Sequence, residues 1–366
     1  MNRSIEKNIS ESISSSRFIL CCIVVCIHAM WKDGHEVELN EGVGCTMHLL
    51  SEFIGGAAVP TFMFFSAFLL FSKLGKTGSF IGDYTENLRK KFKTLMVPYI
   101  IWNLIAYGYL YIRYVLKHEP DVFPNVLEAL TGIPKNGAAF PADGPLWFMR
   151  DLIVLNILSP LFYLVLKYLI NNKFSAIIAV TLLTIAYTLQ LWPSDVPYVT
   201  TAGCLYAFSV GSILGFNNLP SFSEKTYRAT AITAIVAILL LIGYDTTLYL
   251  QGTKEAWAIR LFVVCSICFF FTWAILIKNE NCKKQLSKLN KHTFIIYATH
   301  HLLVLPWVMK LLPKAIGKFM EYNAMVLTAY LLTPVLTVLI CILIDYLLSK
   351  YTPKFYQLST GNRTYK

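Results

Sequence analysis

The sequence predicts an all-α polytopic membrane protein, and three observations support this fold class. The chain has 366 residues, of which 56% are hydrophobic and only 14% are charged, whereas soluble domains carry about 25% charged residues. Apolar runs of about 20 residues recur along the chain, which is the length that crosses a bilayer as a helix. The net charge of +11 does not indicate nucleic-acid binding, because the cations fall in short loops between these runs, where they orient a membrane protein.

The chain contains about ten segments that are long and apolar enough to cross a bilayer. They lie at 14–33, 48–72, 94–116, 146–168, 173–193, 198–216, 229–250, 257–277, 292–313 and 323–349. We expect residues 1–16 to form a short polar cytoplasmic lead, 17–349 a single integral-membrane domain and 350–366 a cytoplasmic tail. The longest connection, 117–145, is rich in Pro, Gly and Asp and is predicted to fold back over the outer surface.

The distribution of Lys and Arg predicts that both termini lie inside. With the N-terminus placed inside, most of the 32 Lys and Arg residues fall in inner segments, and the first outer loop is acidic. This asymmetry is the usual orientation signal of membrane proteins. Lys310, Lys314 and Lys318, near the turn after the ninth segment, depart from it. We therefore expect a multi-pass protein of the cell inner (plasma) membrane.

The nine cysteines do not indicate disulfides or a metal site. Most of them lie inside apolar runs, which argues against a disulfide framework. Cys265 and Cys268 have C-x-x-C spacing, but they stand in the lipid-type sequence VVCSICFFF. No metal site is predicted.

Two ionisable residues, Arg17 and His28, bracket ten apolar residues in the first segment. A membrane helix would carry the cation at its start and the imidazole near its middle, about 16 Å apart along the axis. A lone histidine in a helix is often only a hydrogen-bonded core residue, but ionisable groups inside a bilayer are costly and usually functional. The pair predicts a long substrate that enters from one side and reacts inside the membrane.

A cluster of cations, Arg89, Lys90, Lys91 and Lys93, precedes the third segment. It could act only as an orientation signal that contacts lipid phosphates. It could also bind the phosphates of a nucleotide or coenzyme, because cations pair strongly with phosphate oxygens. Arg17 is predicted to lie at the same inner level, which favours a phosphate site.

The ninth segment reads HTFIIYATHHLLV and places Tyr297, His300 and His301 at a depth similar to that of His28. Tyr297 and His301 are four residues apart and share a helix face, and Tyr297 and His300 are three apart. Imidazole is the usual general base near neutral pH. We therefore expect His28 to act as a base with these side chains beside it.

The fourth segment opens with GPLWFMRD. Trp147 is predicted to be an aromatic anchor at the outer interface. Arg150 and Asp151 follow within about one turn. They could form an internal ion pair, as a bilayer favours. Adjacent helical residues point about 100° apart, however, so we expect them to serve different partners, with Arg150 orienting a polar acceptor.

These motifs, in this order, resemble acyltransferase family 3. Arg17 and His28 match its R-x10-H, and VPTFMFFSAFLLF resembles its V-P-x-F-F-F-x-S-G-F with Ala67 in place of Gly. RKKFKTLMVPY resembles its basic stretch and P-Y, GPLWF its G-x-L-W-F, and IIYATHH its I-Y-x-x-H. The resemblance covers nearly the whole chain. The inner loop of the family often has two arginines three apart, where this chain has Lys91 and Thr94, and lysine lacks the bidentate fork of arginine.

The resemblance implies an acyl-CoA donor on the cytoplasmic side, catalysis by His28, and O-acylation of a carbohydrate or cell-envelope glycan. In this interpretation Arg17, Arg89, Lys90, Lys91 and Lys93 bind the phosphates of acetyl-CoA. The hydroxyl acceptor, a cell-surface polysaccharide or lipid-linked glycan, contacts four further residues, which are Trp147, Arg150, Tyr297 and His300.

Two other functions are compatible with the sequence. A non-enzymatic flippase or exporter of a polysaccharide or lipid-linked sugar would need a continuous polar path but would not need the R-x10-H pair. A membrane sensor would need an output domain, which we do not see. The acceptor sugar, the acyl chain length and the oligomeric state are left open; membrane lipids are the expected surroundings, and nucleic acid is not an expected partner.

Overall fold

A computed structural model describes residues 3–30, 39–76, 78–117, 125–132, 141–191, 195–196, 200–218, 223–277 and 280–362. The main helices, α1 to α17 in chain order, are Arg3–His28, Glu41–His48, Ala58–Phe71, Phe80–Lys91, Val97–Lys117, Val126–Thr131, Trp147–Ile157, Ser159–Tyr168, Lys173–Thr188, Ala202–Phe216, Glu224–Leu250, Ala256–Thr272, Glu280–Leu289, Thr293–Thr299, Leu305–Ile316, Asn323–Tyr351 and Pro353–Ser359. A two-stranded antiparallel ribbon pairs β1, Asp195–Val196, with β2, Thr200–Thr201.

Several helices continue through short turns of other helical types. Wider π-helical turns occupy Leu49–Ile54, Phe92–Met96 and His300–Val304, and 3-10 turns occupy Gly55–Ala57 and Gly144–Leu146. Such π-helical turns are frequent at functional sites. Two of them, at Phe92–Met96 and His300–Val304, lie in the motifs that the sequence singles out.

The predicted all-α polytopic architecture is confirmed in its general form. Among the described residues, six helices are long and apolar enough to cross a membrane, and α7 with α8, bent by 51°, would add a seventh. Three shorter apolar helices, α9, α10 and α12, lie where the sequence predicts further spans. The number ten and the inside location of both termini remain predictions.

The first helix is displaced from its predicted span of 14–33. It begins at Arg3 and ends at His28, so Arg17 lies near its middle and His28 is its last residue, which corrects the expected placement of the two. The polar residues before Arg17 join the helix because neighbouring elements pair with them. Glu11 forms an ion pair with Lys283 at 2.9 Å, and Trp273 donates from Nε1 to Ser16 Oγ at 2.7 Å.

Helices α3 and α10 pack so closely that only glycine fits at two positions of α10. A Cβ on Gly211 would stand 2.5 Å from the carbonyl oxygen of Phe64 and 3.1 Å from Cβ of Ala67. A Cβ on Gly215 would stand 2.5 Å from the carbonyl oxygen of Phe68. The two glycines form a G-x-x-x-G motif, which lets membrane helices approach backbone to backbone.

The described part of the long connection, 125–132 with 141–143, lies against α5 and α7. The hydroxyl of Tyr99 donates to the carbonyl of Leu130, and Arg150 Nη1 donates to the carbonyl of Thr131 at 3.2 Å. Residues 118–124 and 133–140 of the connection lie outside the described residues. Helix α6 is therefore fixed to the start of the fourth predicted span.

The last helix of the described residues, α17, supports the N-terminal part of α5. Trp102 donates from Nε1 to the carbonyl of Ser359 at 3.0 Å. Gly361, at φ 69°, approaches the backbone so closely that a Cβ there would stand 2.6 Å from Cα of Thr94. The end of the chain thus packs under the π-helical turn that follows the basic cluster.

The contact between α3 and α10 gives a prediction about stability. Gly211→Ala should destabilise the protein by about 1–3 kcal/mol, because the added methyl group overpacks the contact. Gly243→Ala is the matched control, since nothing lies within 4 Å of a Cβ at that position. Thermal unfolding of detergent-solubilised protein should show a lower midpoint for Gly211→Ala alone. Equal midpoints for the two variants would contradict this packing.

The orientation of the chain gives a second prediction. In a background without Cys45 and Cys282, Gln251→Cys in the exposed connection between α11 and α12 should react with a membrane-impermeant maleimide in intact cells. Lys284→Cys on α13 should react only after the membrane is opened, because the charge asymmetry places α13 inside. Both side chains are exposed, so burial does not decide the result. Labelling of Lys284→Cys from outside would invert the topology.

Candidate active site

Three imidazoles meet at the end of α1. The ring centroid of His28 lies 4.5 Å from that of His301 and 5.4 Å from that of His300. His300 and His301 open the π-helical turn that follows α14, and His28 lies beside both rings. The structure therefore brings together the predicted base and the histidines of the ninth predicted span.

The hydrogen bonds of His300 define its tautomer. His300 is fully buried, and its Nδ1 lies 2.9 Å from the carbonyl oxygen of Ile296. A carbonyl only accepts, so Nδ1 carries the proton and Nε2 carries the lone pair. Within the described residues, His300 Nε2 and His301 Nδ1 are buried atoms without a hydrogen-bond partner. The cluster thus holds ring nitrogens that the protein does not satisfy.

Tyr297 connects the histidines to the start of the fourth predicted span. Its hydroxyl donates to the carbonyl of Pro145, and its ring centroid lies 6.3 Å from that of His300. Gly144 lies against His301, since a Cβ on this glycine would stand 3.6 Å from His301 Cε1. The 3-10 turn that opens the fourth span is therefore one wall of the histidine cluster.

A cavity of about 440 Å³ reaches Tyr297 from the basic cluster. Its lining includes Arg17, Lys91 and Thr94, together with the rings of Phe62 and Phe148. Both Lys91 and Thr94 face this cavity. They occupy the positions where the family that the sequence resembles often has two arginines. Cations and Tyr297 thus line the same cavity.

A second cavity of about 600 Å³ adjoins the first, because the two share Arg17, Phe62, Ser66 and Lys91 as lining residues. The larger cavity adds three cations, which are Lys73, Lys76 and Lys90. Asp83 and Glu86 also line it. The joined space is positively charged around Arg17 and has room for a large anionic ligand.

Two of these cations were missed as site residues in the sequence. Lys73 and Lys76 follow the second span and look like orientation signals, and only the fold brings them opposite Arg17 and Lys91. Of the predicted phosphate ligands, Arg89 and Lys93 are exposed and do not line either cavity. Lys90 is also exposed and pairs with Glu86 at 2.5 Å.

Arg150 and Asp151 pair with each other, so the expectation that they serve different partners is wrong. Arg150 Nη2 lies 2.9 Å from Asp151 Oδ1, and Arg150 Nε donates to the same oxygen at 3.0 Å. The long arginine side chain folds back along the helix, because the carboxylate of Asp151 is 1% exposed and a buried charge needs a partner. Trp147, next to them, is half-buried and packs on the main core.

No group of three or more His, Cys, Asp or Glu side chains in the described ranges is arranged to hold a metal ion, the histidine cluster included.

Comparison with known proteins agrees with this arrangement. The family model described as an acyltransferase domain, that of acyltransferase family 3, matches residues 11–346. The chain is similar to the succinoglycan biosynthesis protein ExoH of Rhizobium meliloti (strain 1021). The two are 25% identical over an alignment of 379 residues, which covers 98% of this chain and 94% of that protein. No solved structure gives a significant match. Since the family model spans nearly the whole chain, including Arg17, His28 and the histidines of α14 and its π-helical turn, the protein belongs to acyltransferase family 3.

Proposed function

We propose that the protein is an integral-membrane O-acyltransferase, more specifically an O-acetyltransferase, of the inner membrane. It would move an acyl group from cytoplasmic acyl-CoA to a hydroxyl of a cell-surface polysaccharide or lipid-linked glycan. The observation that carries this proposal is the pair of joined cavities, which lead from a cluster of cations to Tyr297 beside three histidines. The name of the similar Rhizobium protein, which refers to the biosynthesis of a polysaccharide, supports the class of acceptor.

The donor site is the positively charged end of the joined cavities. Arg17 and Lys91 line both cavities, and Lys73, Lys76 and Lys90 line the larger one. We assign these side chains to the phosphates of the coenzyme, for which charge-assisted hydrogen bonds are strong. Arg89 and Lys93, exposed nearby, would act at longer range by raising the local concentration of an anionic donor.

The pantetheine arm of the donor would span the distance between Arg17 and His28. Arg17 and His28 belong to one continuous helix, so about 16 Å separate them along its axis. The pantetheine arm would pass along the contacting rings of Phe62 and Phe148, which line the smaller cavity. A thioester carried by this arm would then arrive at Tyr297 and the histidines.

The chemistry is a direct transfer. His28 takes the proton of the acceptor hydroxyl, the oxygen attacks the thioester carbonyl, and the carbon–sulfur bond breaks. The proton on His28 then passes to the departing thiolate, so that an ester and free coenzyme A are the products. His300 and Tyr297 would line the acceptor site, with Trp147 and the Arg150–Asp151 pair holding the start of the fourth span behind it.

Family membership favours this transferase over a non-enzymatic flippase or exporter. The decisive measurement is transfer of radiolabelled acetyl groups from acetyl-CoA by the purified protein to glycan from which mild alkali has removed all esters. Label that appears in the glycan, in proportion to the protein added, would support the transferase. Movement of glycan across vesicles without labelling would support the transporter.

Replacement of His28 tests the catalytic assignment. His28→Ala should lower acetyl transfer by about 10²–10⁴-fold, the usual effect of losing a positioned general base. The variant should still bind coenzyme A, measured by calorimetry, because His28 does not line the cationic cavities. Transfer at the wild-type rate would remove His28 from the mechanism.

Replacement of Arg17 tests the phosphate site. Arg17→Ala should raise the KM for acetyl-CoA more than it lowers kcat, because it removes binding shared by the ground and transition states. Arg17→Lys should recover only part of the loss, since lysine is a point charge. Arg228→Ala is the matched control: this arginine pairs with Glu224 at 3.0 Å on α11, away from both cavities. Unchanged coenzyme binding by Arg17→Ala would overturn the assignment.

A further inference from the structure

Asp143 lies immediately before the two residues that touch the histidine cluster. Gly144 contacts His301, and the carbonyl of Pro145 accepts from Tyr297. Consecutive Cα atoms are about 3.8 Å apart, so the backbone of Asp143 is within one residue of this wall. The backbone of Asp143 therefore lies at the edge of the candidate active site, although the motif G-x-L-W-F starts one residue later.

The carboxyl group of Asp143 is buried, and one of its oxygens is not satisfied. Asp143 is 2% exposed, and its Oδ1 has no hydrogen-bond partner among the described residues. Its backbone N–H donates to Asn103 Oδ1 at 3.1 Å, which fixes the residue in place. Arg150, the cation on the next helix, directs its donors to Asp151 and Thr131 instead.

An unsatisfied buried carboxyl group is costly and calls for an explanation. Within the described ranges nothing is hydrogen-bonded to Asp143 Oδ1, and the contact with Asn103 uses only the backbone N–H. Asp143 also lies beside a site where a hydroxyl is proposed to react. The cost is accounted for if a ligand supplies the missing hydrogen bond.

The unsatisfied ring nitrogens of the histidine cluster would also bind a ligand that donates hydrogen bonds. His300 Nε2 is a hydrogen-bond acceptor, because Nδ1 of this ring holds the proton, and His301 Nδ1 is also without a partner. A carboxyl oxygen likewise accepts from hydroxyl groups. Acceptors from two sides of one wall match a molecule that carries several hydroxyl groups on neighbouring atoms, which is the chemistry of a carbohydrate.

We propose that Asp143 is a binding residue for the carbohydrate acceptor and holds hydroxyl groups next to the one that His28 deprotonates. This rests on the proposed acyl transfer and adds to it the group that selects the acceptor. Arg150, which binds Asp151 and the carbonyl of Thr131, then has the supporting role of neutralising Asp151 and anchoring α6. The wall at 143–145 sets which hydroxyl faces the base.

The test compares Asp143→Asn and Asp143→Ala in full-length protein with wild type. Transfer from radiolabelled acetyl-CoA to alkali-treated envelope glycan is measured over a range of glycan and donor concentrations. We expect the half-saturating glycan concentration to rise at least tenfold for Asp143→Ala and less for Asp143→Asn, which keeps one acceptor oxygen. The half-saturating concentration of acetyl-CoA should stay within twofold of wild type.

The matched control is Asp245→Asn. Asp245, on α11, is also buried, but it pairs with His48 at 2.9 Å. It is distant in sequence from the residues of the candidate site. The Asp245→Asn variant controls for the neutralisation of a buried carboxylate. The half-saturating glycan concentration of this variant should equal that of wild type. Ester content of the glycan from gene-deleted cells carrying each variant gives a second readout that does not depend on the purified acceptor. Asp143→Ala should lower this content at least tenfold.

The outcomes separate this inference from the proposed function. Wild-type saturation behaviour and ester content in Asp143→Ala would overturn the role of Asp143 while leaving the acyltransferase intact. Loss of coenzyme A binding and of the folded elution profile in both Asp143 variants would also overturn it, because the carboxyl group would then be structural. Two results together would instead overturn the function itself. Folded wild-type protein would transfer no acetyl groups, and the glycan of the His28→Ala strain would keep its esters.

Discussion

The structure depends on one constraint, which is that a polar group inside a bilayer must find its partner within the protein. The polar residues of α1 obey it: Glu11 pairs with Lys283, and Ser16 accepts from Trp273. Asp245 and Glu52 obey it by sharing His48 between them. Nine buried side-chain atoms of the described residues lack a hydrogen-bond partner, and those of Asp143, His300 and His301 belong to residues at or next to one junction. This grouping, rather than the lack of a partner alone, is what points to a ligand there.

The same constraint explains why the charged cavity lies where it does. Five cations would repel one another inside a membrane, but Lys90 and Glu86 pair at the mouth, and Asp83 also lines the space. Exposed cations of this kind are screened over about 8 Å at physiological salt. Arg17, deeper in the helix, is the cation that a phosphate would meet last. The gradient from exposed lysines to Arg17 would draw an anionic donor inward before its thioester reaches the histidines.

Much of the fold could be predicted from the sequence, because the length and polarity of apolar runs reflect the thickness of the bilayer directly. Each predicted span contains a helix, and the motifs around Arg17, His28 and Tyr297 do converge. The limits of α1 could not be predicted, since the serines before Arg17 look like a polar lead unless their partners on α12 and α13 are known. Gly211 and Gly215 form a G-x-x-x-G motif that is visible in the sequence, but the sequence does not indicate which helix the two glycines contact.

The candidate site was less predictable, because it is made by tertiary contacts between distant segments. Lys73 and Lys76 carry no local signal beyond their charge, and Asp143 lies in a connection whose composition suggests a surface loop. The pairing of Arg150 with Asp151 shows how a rule for backbone geometry, about 100° between neighbours, fails for a side chain long enough to fold back. Burial decided that case, since a carboxylate removed from water takes the nearest cation.

Two of the three π-helical turns among the described residues lie at the candidate site. At His300–Val304 the wider turn lets two consecutive histidines, which an α-helix would point about 100° apart, lie beside the one imidazole of His28. At Phe92–Met96 it follows Lys91 and places Thr94 and Leu95 on the wall of the donor cavity, while α17 packs beneath it. Such turns are frequently found at functional sites. The turns at Phe92–Met96 and His300–Val304 lie at the two ends of the path along which the acyl group would travel, whereas the third, at Leu49–Ile54, lines neither cavity.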